Sequence, residues 1–253
     1  MTISYQLYSS RKFGPLNDTL RMLADLGYDA VEAYGALYAD DAATDGLAGA
    51  LKETGLKTPS GHVGLDMCRD RADRALDIAT ALGMTYVFVP HLKPEERPTD
   101  ASGWSAFGKS LTEIGKPFRD AGLKFGYHNH DFELVPTDTG DYPLDLILEA
   151  DPELILEFDV AWCVRAGVDP MVVIENHGAR LKAAHMKDIA PAGQSTNEDG
   201  WADPGHGIMD WPGLSSAIRA KGCELFVMEH DNPSDDARFA RNAIATAKSV
   251  GVN

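Results

Sequence analysis

A repeated pattern of helix, glycine and apolar strand runs along the whole chain and constrains its fold more than any other feature. Each repeat ends an amphipathic helical segment near a glycine, or near Pro152 in one case, and continues into a short apolar run. Glycine suits the end of a helix because the residue there commonly takes positive φ. The apolar runs predict eight strands, at residues 3–8, 28–32, 56–62, 84–91, 124–130, 154–159, 181–188 and 225–231.

Eight strands that each lead into a helical segment predict an α/β fold, the (β/α)₈ TIM barrel, as a single domain over residues 1–253. The length of the chain is one that such barrels commonly occupy as one unit. A doubly wound sheet is the structural alternative. It usually carries a glycine-rich phosphate turn after its first strand, and residues 7–11 contain no glycine.

Charge and composition exclude several classes of protein. The formal net charge is -16 and the chain has no cluster of basic residues, so we expect no nucleic-acid partner. No stretch resembles a membrane span and the first residues do not resemble a signal peptide, so we expect no membrane partner and a cytoplasmic location. The 3 cysteines are widely spaced and predict neither a disulfide framework nor a zinc knuckle.

Polar side chains stand at almost every predicted strand end. A barrel builds its active site at the C-terminal strand ends and in the loops that follow them. Buried charges are rare unless they are paired or bound to a metal, so this convergence predicts a functional site. Reading each strand with a period of two gives Glu32, His62, His91, His128 with His130, Glu157 with Asp159, His185 with Lys187, and Glu229 with Asp231.

Four of these residues form the predicted metal site: His128, Asp159, His185 and Glu229. They come from four successive strands. Two imidazoles and two carboxylates suit one divalent ion, with Mn²⁺ as the first choice and Mg²⁺, Fe²⁺ or Zn²⁺ as the others. Each residue also has a structural alternative, since Asp159 could cap the next helix and Glu229 could pair with Lys187. Four coincident ligands favour the metal site.

The segments around these residues resemble the xylose-isomerase-like sugar isomerase/epimerase superfamily, which includes ketose 3-epimerases, inosose dehydratases and an apurinic-site endonuclease branch. The segments are 126–134, 156–162 with 165–170, 184–188, 205–211 and 227–231. The resemblance implies the same four metal ligands. It departs at the fifth strand, where the epimerases usually have a proton-transferring Glu and this chain has His128. This histidine brings the chain closer to the dehydratase-like branch.

Such a site predicts chemistry on a carbohydrate. A divalent ion that holds a carbonyl and the adjacent hydroxyl of a ketose stabilises the enediolate formed when the proton between them leaves. Reprotonation makes the enzyme an isomerase or epimerase, and loss of a β-hydroxyl makes it a dehydratase of a keto-sugar or keto-inositol. The predicted proton-transfer groups are Glu229, His130 and His62, and Lys187 is predicted to stabilise the developing negative charge.

Other residues of this face are predicted to contact the substrate. Trp162 and Trp211 follow strand ends and can stack on a sugar, and Arg165 is the candidate for a phosphate contact. Glu157 either orients a metal-binding histidine or pairs with Lys187. The irregular segment 190–212 is predicted to be a substrate loop or lid. The predicted contact set is Glu32, His91, Glu157, Trp162, Arg165, His206 and Trp211.

Two other functions compete with this prediction. An apurinic-site endonuclease needs more metal ligands and a basic surface, and the 8 histidines and the charge of -16 weigh against it. A non-catalytic sugar-binding barrel would need the ligands without a base, and the surplus of histidine and glutamate at the strand ends disfavours it. A homodimer or homotetramer is what the family resemblance implies.

Overall fold

The computed structural model describes residues 1–253, and its main feature is one closed barrel of parallel strands. The strands are β1 Thr2–Gln6, β2 Ala30–Tyr34, β3 Lys57–His62, β4 Tyr86–Val89, β5 Lys124–His128, β6 Ile155–Asp159, β7 Leu181–Met186, β8 Asp188–Ile189, β9 Trp201–Ala202 and β10 Leu225–Met228. The barrel closes in the order β1-β10-β7-β6-β5-β4-β3-β2, and β8 pairs with β9 outside it. The predicted (β/α)₈ barrel is confirmed.

Helices follow the strands and cover the outside of the barrel. They are α1 Leu16–Leu26, α2 Asp41–Thr54, α3 Leu65–Asp70, α4 Ala72–Leu82, α5 Ala101–Asp120, α6 Pro143–Glu149, α7 Val160–Arg165, α8 Pro170–His177, α9 Trp211–Ala220 and α10 Asp236–Ser249. None of these helices has both the length and the apolar character that crossing a bilayer requires. Six of them begin after an aspartate whose side chain accepts a backbone N–H of the first turn, namely Asp40, Asp100, Asp159, Asp169, Asp210 and Asp235.

Most of the glycines of the repeat act as predicted. Positive φ is found at Gly27, Gly55, Gly83, Gly122 and Gly222. Gly178 differs, because its φ is -55° and the chain there continues into a turn of 3₁₀ helix. A Cβ at Gly178 would lie 2.5 Å from the side chain of Lys221, so this position needs glycine for close packing.

The barrel interior changes from apolar to polar along the strands. Phe88, Ile155, Ala183, Leu225 and Val227 form a small buried cluster that is separate from the larger core between barrel and helices. The residues that follow them towards the C-terminal strand ends are polar, and these include His128 and His185. The apolar cluster therefore closes the barrel below the candidate site.

Several strands are shorter than predicted at their C-terminal ends. Strand β5 ends at His128 and the backbone N–H of His130 is bonded to the side chain of Glu133. The predicted seventh strand ends at Met186, because Asp188 begins the hairpin with β9. The backbone hydrogen bonds leave the barrel at these points, so part of the predicted set lies in the first residues of the loops.

The segment 190–212, predicted to be a substrate loop or lid, is bonded to Asp188 and to α10. It contains β9, and the side chain of Asp188 accepts the backbone N–H groups of Gly205 at 2.8 Å and Met209 at 3.1 Å. Arg238 on α10 binds Asp203 of this segment at 3.0 Å. None of the residues that line the substrate cavity described below comes from this segment, but its Trp201 packs on Trp162, which does line it, so a role as substrate loop or lid stays a prediction.

Gly126 lies where two barrel strands and their side chains meet, and replacing it by alanine should destabilise the fold. The new Cβ would lie 2.6 Å from Ile155 Cγ1 and 2.9 Å from Phe88 Cδ1, and it would also clash with the backbone oxygen of Ile155. We expect Gly126→Ala to lower the free energy of unfolding by about 1–3 kcal/mol in a chemical denaturation experiment.

Gly49 provides the matched control for this experiment. It lies in the middle of α2, where an added Cβ would have nothing within 4 Å. Gly49→Ala should raise the free energy of unfolding by about 0.5–1 kcal/mol, since alanine favours a helix interior. Equal stability of Gly126→Ala and the wild type would contradict the tight contact described for β5 and β6.

Candidate metal centre and substrate cavity

A cavity of about 670 Å³ opens at the C-terminal ends of the barrel strands. Its walls combine imidazoles, carboxylates and aromatic rings, which is the composition expected of a site that handles polar ligands and protons. The lining residues are Tyr8, Tyr34, Gly35, His62, Gly64, Pro90, His91, Arg97, His128, His130, Asp131, Phe132, Trp162, Glu229 and Asp231.

Strand register brings the predicted metal ligands to one level of the barrel. Asp159 on β6 is the register partner of His185 on β7, and His128 on β5 is the partner of Glu157 on β6. Glu229 directly follows β10, the neighbour of β7. Side chains of alternate residues point to the same side of a strand, so all of these groups enter the barrel interior.

The four predicted metal ligands form a compact cluster, which we call the metal quartet: His128, Asp159, His185 and Glu229. One ligand atom from each residue lies within 4.8 Å of the others, and all four residues are buried. His185 Nδ1 is 2.8 Å from Glu229 Oε2 and 3.9 Å from Asp159 Oδ2. The structure therefore brings together the four residues that the sequence singled out.

Asp159 has both of the roles that its sequence position allows. Its Oδ1 accepts the backbone N–H of Trp162 at 2.9 Å and caps α7. Its Oδ2 is buried and has no hydrogen-bond partner. Lys187 Nζ lies 3.5 Å from this oxygen and is shared with Glu229 and Asp231, so the charge of Asp159 is only partly balanced, and a divalent cation would complete the balance.

Lys187 is fully buried beside the metal quartet and does not line the cavity. Its Nζ lies 2.7 Å from Asp231 Oδ1, 3.2 Å from Glu229 Oε2 and 3.5 Å from Asp159 Oδ2. The pairing of Lys187 with Glu229 that the sequence left open is therefore present. One ammonium group balances part of the negative charge of three carboxylates.

Below the metal quartet, the carboxylate of Glu157 contacts three imidazoles. Its Oε2 lies 2.6 Å from His62 Nε2, 3.2 Å from His128 Nδ1 and 3.3 Å from His185 Nε2. Of the two roles predicted for Glu157, contact with the histidines is observed and pairing with Lys187 is not. A carboxylate on the far nitrogen of a histidine fixes the ring, which here directs His185 Nδ1 towards Glu229.

A second group of residues, His62, His128, Glu157 and His185, has comparable spacing. In this group the nitrogen of His62 is already engaged. His62 Nε2 lies 2.6 Å from Glu157 Oε2 and 3.1 Å from Glu32 Oε1, so two carboxylates already contact it. The metal quartet supplies two carboxylates where the second group supplies one, which balances the charge of a divalent ion better, so it is the better fit for an ion.

The histidines divide into protonated and neutral groups. Burial opposes protonation of His185, but the charges of Glu157 and Glu229 outweigh it and hold its pKa well above the ordinary value. His62 also has a raised pKa, because the charges of Glu32 and Glu157 outweigh its burial. Burial lowers the pKa of His128 to about 3, and burial with the nearby His128 charge holds the pKa of His130 well below its ordinary value.

The carboxylates differ in the same way. Burial alone would favour the neutral form of Glu229, but the charges of Lys187 and His185 hold its pKa well below the usual range. Burial raises the pKa of Asp159 to about 6, against the opposing charge of Lys187. Near neutral pH the site therefore offers ionised Glu229 together with neutral His128 and His130.

The predicted site residues occupy three different places. The first group lines the cavity and consists of His62, His91, His128, His130, Trp162 and Glu229. The second group is buried next to the lining and consists of Glu32, Glu157, Asp159, His185 and Lys187. The third group lies outside the cavity and consists of Arg165, His206 and Trp211.

The three outlying residues do not lie where substrate contacts were predicted. The Arg165 guanidinium stacks on Trp201, 3.2 Å from the ring centroid. Trp211 is buried in the core at the start of α9, and His206 is exposed in the loop after β9. Following a strand in sequence was not sufficient, because Arg165 turns onto Trp201 and the start of α9 places Trp211 in the core.

Eight lining residues were not predicted from the sequence: Tyr8, Tyr34, Gly35, Gly64, Pro90, Arg97, Asp131 and Phe132. Tyr8, Tyr34 and Arg97 lie in or next to 3₁₀ turns. Asp131 and Phe132 lie in the segment 126–134, directly after the predicted His128 and His130, and this position is the signal that could have identified them. Tyr34 is two residues after Glu32 at the end of β2, so the period of two could have found it, whereas Arg97 shows no periodic pattern that distinguishes it from other loop residues.

A closed parallel barrel with a cluster of polar side chains at its C-terminal strand ends places the protein in the class of TIM barrels, which carry their active sites at this end. Comparison with known proteins assigns the chain within that class. The model of the xylose isomerase-like TIM barrel family matches residues 20–249, and the chain belongs to this family.

Individual relatives have lower similarity. Inosose dehydratase of Clostridium tetani is 34% identical over 98 residues, which are 38% of this chain and 32% of that protein. The matched segment thus spans about a third of the relative. A sugar phosphate isomerase/epimerase of Parabacteroides distasonis superposes with a TM-score of 0.83 and 22% identity over 99% of this chain and 94% of its own. The IolI protein, solved with a zinc atom, gives a TM-score of 0.70 and 19% identity over 100% and 97%. At these identities the two structures support the fold and nothing beyond it.

Proposed function

We propose that this protein is a divalent-metal-dependent isomerase or epimerase of a ketose or keto-sugar. The observation that carries the proposal is the metal quartet, whose ligand atoms lie within 4.8 Å of one another next to the cavity. The unpartnered Oδ2 of Asp159 supports an ion at this place. Two imidazoles and two carboxylates suit Mn²⁺, which we propose first, and Mg²⁺, Fe²⁺ or Zn²⁺ as well.

His128, Asp159, His185 and Glu229 would hold the ion. Bound there, it would supply the positive charge that stabilises the enediolate formed when a sugar loses the proton next to its carbonyl group. The neighbouring carboxylate of Glu157 keeps His128 and His185 in place, and Lys187 holds Glu229 through an ion pair of 3.2 Å. We therefore assign Lys187 a positioning role in place of the predicted contact with the substrate.

Glu229 is the proposed base that takes the proton. It lines the cavity, and its pKa lies well below the usual range because the charges of Lys187 and His185 outweigh the effect of burial. It is therefore ionised at neutral pH. A carboxylate that is part of the metal site and faces the substrate is suitably placed to move a proton between neighbouring atoms.

His130 is the proposed second proton-transfer group. Its ring is held by three neighbours: His91, whose ring centroid is 4.9 Å away, His128 at 5.0 Å and Trp162 at 5.3 Å. Its Nδ1 is buried and has no hydrogen-bond partner. The ring is neutral, since burial holds its pKa well below the ordinary value, and a neutral imidazole has a nitrogen lone pair free for a proton. His62 is paired with Glu157, which makes it a weaker candidate.

A dehydratase of a keto-sugar or keto-inositol is the second candidate function. Curated relatives are named inosose dehydratase, and His128 replaces the fifth-strand Glu that the epimerases usually carry. Both functions begin with removal of the same proton. The dehydratase then expels a β-hydroxyl group, whereas the isomerase or epimerase returns a proton to carbon.

Solvent exchange tests the step that both functions share. The protein, loaded with Mn²⁺, is incubated in D₂O with a panel of ketoses, inososes and 3-keto sugars, and loss of the proton signal next to the carbonyl is followed by NMR. We expect exchange with at least one compound, and none after treatment with a chelator. Mass spectrometry of the product then separates the two functions, because dehydration removes one water.

Glu229→Gln should abolish the exchange, and Glu175→Gln serves as its control. Glu175 is an exposed residue of α8 that pairs with Lys221 at 2.8 Å, far from the cavity lining. Exchange of equal rate in the chelator-treated protein would exclude the metal-dependent mechanism. Absence of exchange across the whole panel would count against both functions.

A further inference from the structure

Arg97 is the only lysine or arginine among the residues that line the cavity. It lies in the loop after β4, directly after the 3₁₀ turn Pro94–Glu96. The lining also contains three carboxylates, Asp131, Glu229 and Asp231. Two of these already have a cation, because Lys187 Nζ is 2.7 Å from Asp231 and 3.2 Å from Glu229.

The guanidinium of Arg97 is held by neutral groups. Its Nε donates to the backbone oxygen of Leu92 at 3.0 Å, and its carbon lies 3.6 Å from the centroid of the Phe132 ring. Its Nη2 lies 3.5 Å from Nε2 of His91. No carboxylate oxygen comes within 4.0 Å of it, in contrast to Arg238, which binds Glu198 and Asp203. A positive charge is thus fixed at the cavity wall without a counter-ion.

The neighbouring imidazole does not supply this wall with further positive charge. The pKa of His91, the imidazole beside Arg97, is lowered by its partial burial and by the charge of Arg97. Asp131 is the remaining charged residue of this wall and forms no ion pair. The wall therefore has one cation held in a fixed orientation.

We propose that Arg97 binds an anionic group of the substrate, either a carboxylate or a phosphate. The inference rests on the proposed function, since it takes the cavity as the substrate site, and it narrows the substrate class to sugar acids or phosphorylated sugars. A guanidinium fits both groups because its planar fork donates two parallel hydrogen bonds. Stacking on Phe132 and the bond to Leu92 orient this fork before the substrate arrives.

Binding of three compounds with one ketose skeleton tests this proposal. Isothermal titration calorimetry is carried out on the metal-loaded protein with D-fructose, D-fructuronate and D-fructose 6-phosphate. We expect at least one of the anionic compounds to bind about tenfold or more tightly than D-fructose, with an affinity that falls as salt is added. The compound that is preferred tells whether the group is a carboxylate or a phosphate.

Variants of three arginines complete the experiment. Arg97→Met should remove the preference for the anion, while Arg97→Lys should keep part of it, because it keeps the charge without the planar fork. Arg69→Met is the matched control, since Arg69 is exposed on α3 and pairs with Asp66. Equal binding of all three compounds by the wild type, or a preference that survives in Arg97→Met, would overturn the proposal. So would loss of the preference in Arg165→Met alone.

The same samples separate this proposal from the proposed function. Arg97→Met should retain the metal content of the wild type, because Arg97 contacts none of the four residues of the metal quartet. A wild type without metal would contradict the proposed function. The proposed role of Arg97 would then be decided by the calorimetric titrations alone. A wild type that has metal and solvent exchange but shows no preference for the anionic compounds would contradict the proposed role of Arg97 and would leave the proposed function intact.

Discussion

Replacement of His185 by alanine should remove the bound metal and the metal-dependent activity together. His185 is fully buried at the centre of the site, with Nδ1 2.8 Å from Glu229 and Nε2 3.0 Å from Glu32. We expect elemental analysis to find about one divalent ion per chain in the wild type and almost none in His185→Ala. The exchange rate should fall by on the order of 10³-fold or more.

Asp159→Asn provides a milder test of the same site. The asparagine keeps an oxygen that can cap α7, as Asp159 Oδ1 does through Trp162, and it removes the negative charge of the unpartnered oxygen. It should fold like the wild type and still lose metal. His206→Ala is the histidine control, because His206 is exposed and outside the cavity. Full metal content in both His185→Ala and Asp159→Asn would exclude the metal quartet as the site that binds the ion.

The barrel and the ligand positions could be predicted because both follow from periodic patterns. Glycines at helix ends marked the beginning of the strands, and alternation along the strands selected residues that face the interior. Asp159 and His185 were found in this way, and the register of β6 and β7 places them side by side. Position along a strand is a local property, so one sequence is sufficient to read it.

The cavity walls could not be predicted because loops determine them. Arg97 and Tyr8 reach the cavity from turns that follow β4 and β1, and no repeated pattern in the sequence predicts the direction of such turns. Trp211 was misplaced for the same reason, since the chain between β9 and α9 carries it into the core. Distances between loops depend on tertiary packing, which sequence spacing does not encode.

Glu157→Gln should destabilise the metal-free protein more than any other single charge removal below the cavity. Glu157 is fully buried, and one of its oxygens lies 2.6 Å from His62 and 3.3 Å from His185. Without this charge the two imidazolium groups lose a shared partner inside the barrel. We expect the free energy of unfolding to fall by about 3–5 kcal/mol, as for other broken buried pairs. Glu153→Gln removes an exposed carboxylate just before β6 and should leave the free energy of unfolding unchanged.

The same glutamate should control how stability depends on pH. In the metal-free protein the charges of Glu157 and Glu229 raise the pKa of His185 against its burial, and those of Glu32 and Glu157 raise that of His62. The protons on these rings therefore stabilise the fold fully below the unfolded histidine pKa of about 6.5, and this stabilisation is lost as pH rises through the folded values.

Thermal unfolding should therefore show a falling midpoint as metal-free wild-type protein is taken from pH 6 to pH 9. The fall should be smaller in Glu157→Gln, because a neutral side chain no longer raises the pKa of His62 and His185. It should also be smaller in metal-loaded wild type, in which the positive charge of the ion replaces that of the protons and does not depend on their loss. A midpoint that rises from pH 6 to pH 9 in the metal-free protein would contradict the charge balance described for the barrel interior. A fall of equal size in the metal-free wild type and Glu157→Gln would show that Glu157 does not set the pKa of these histidines.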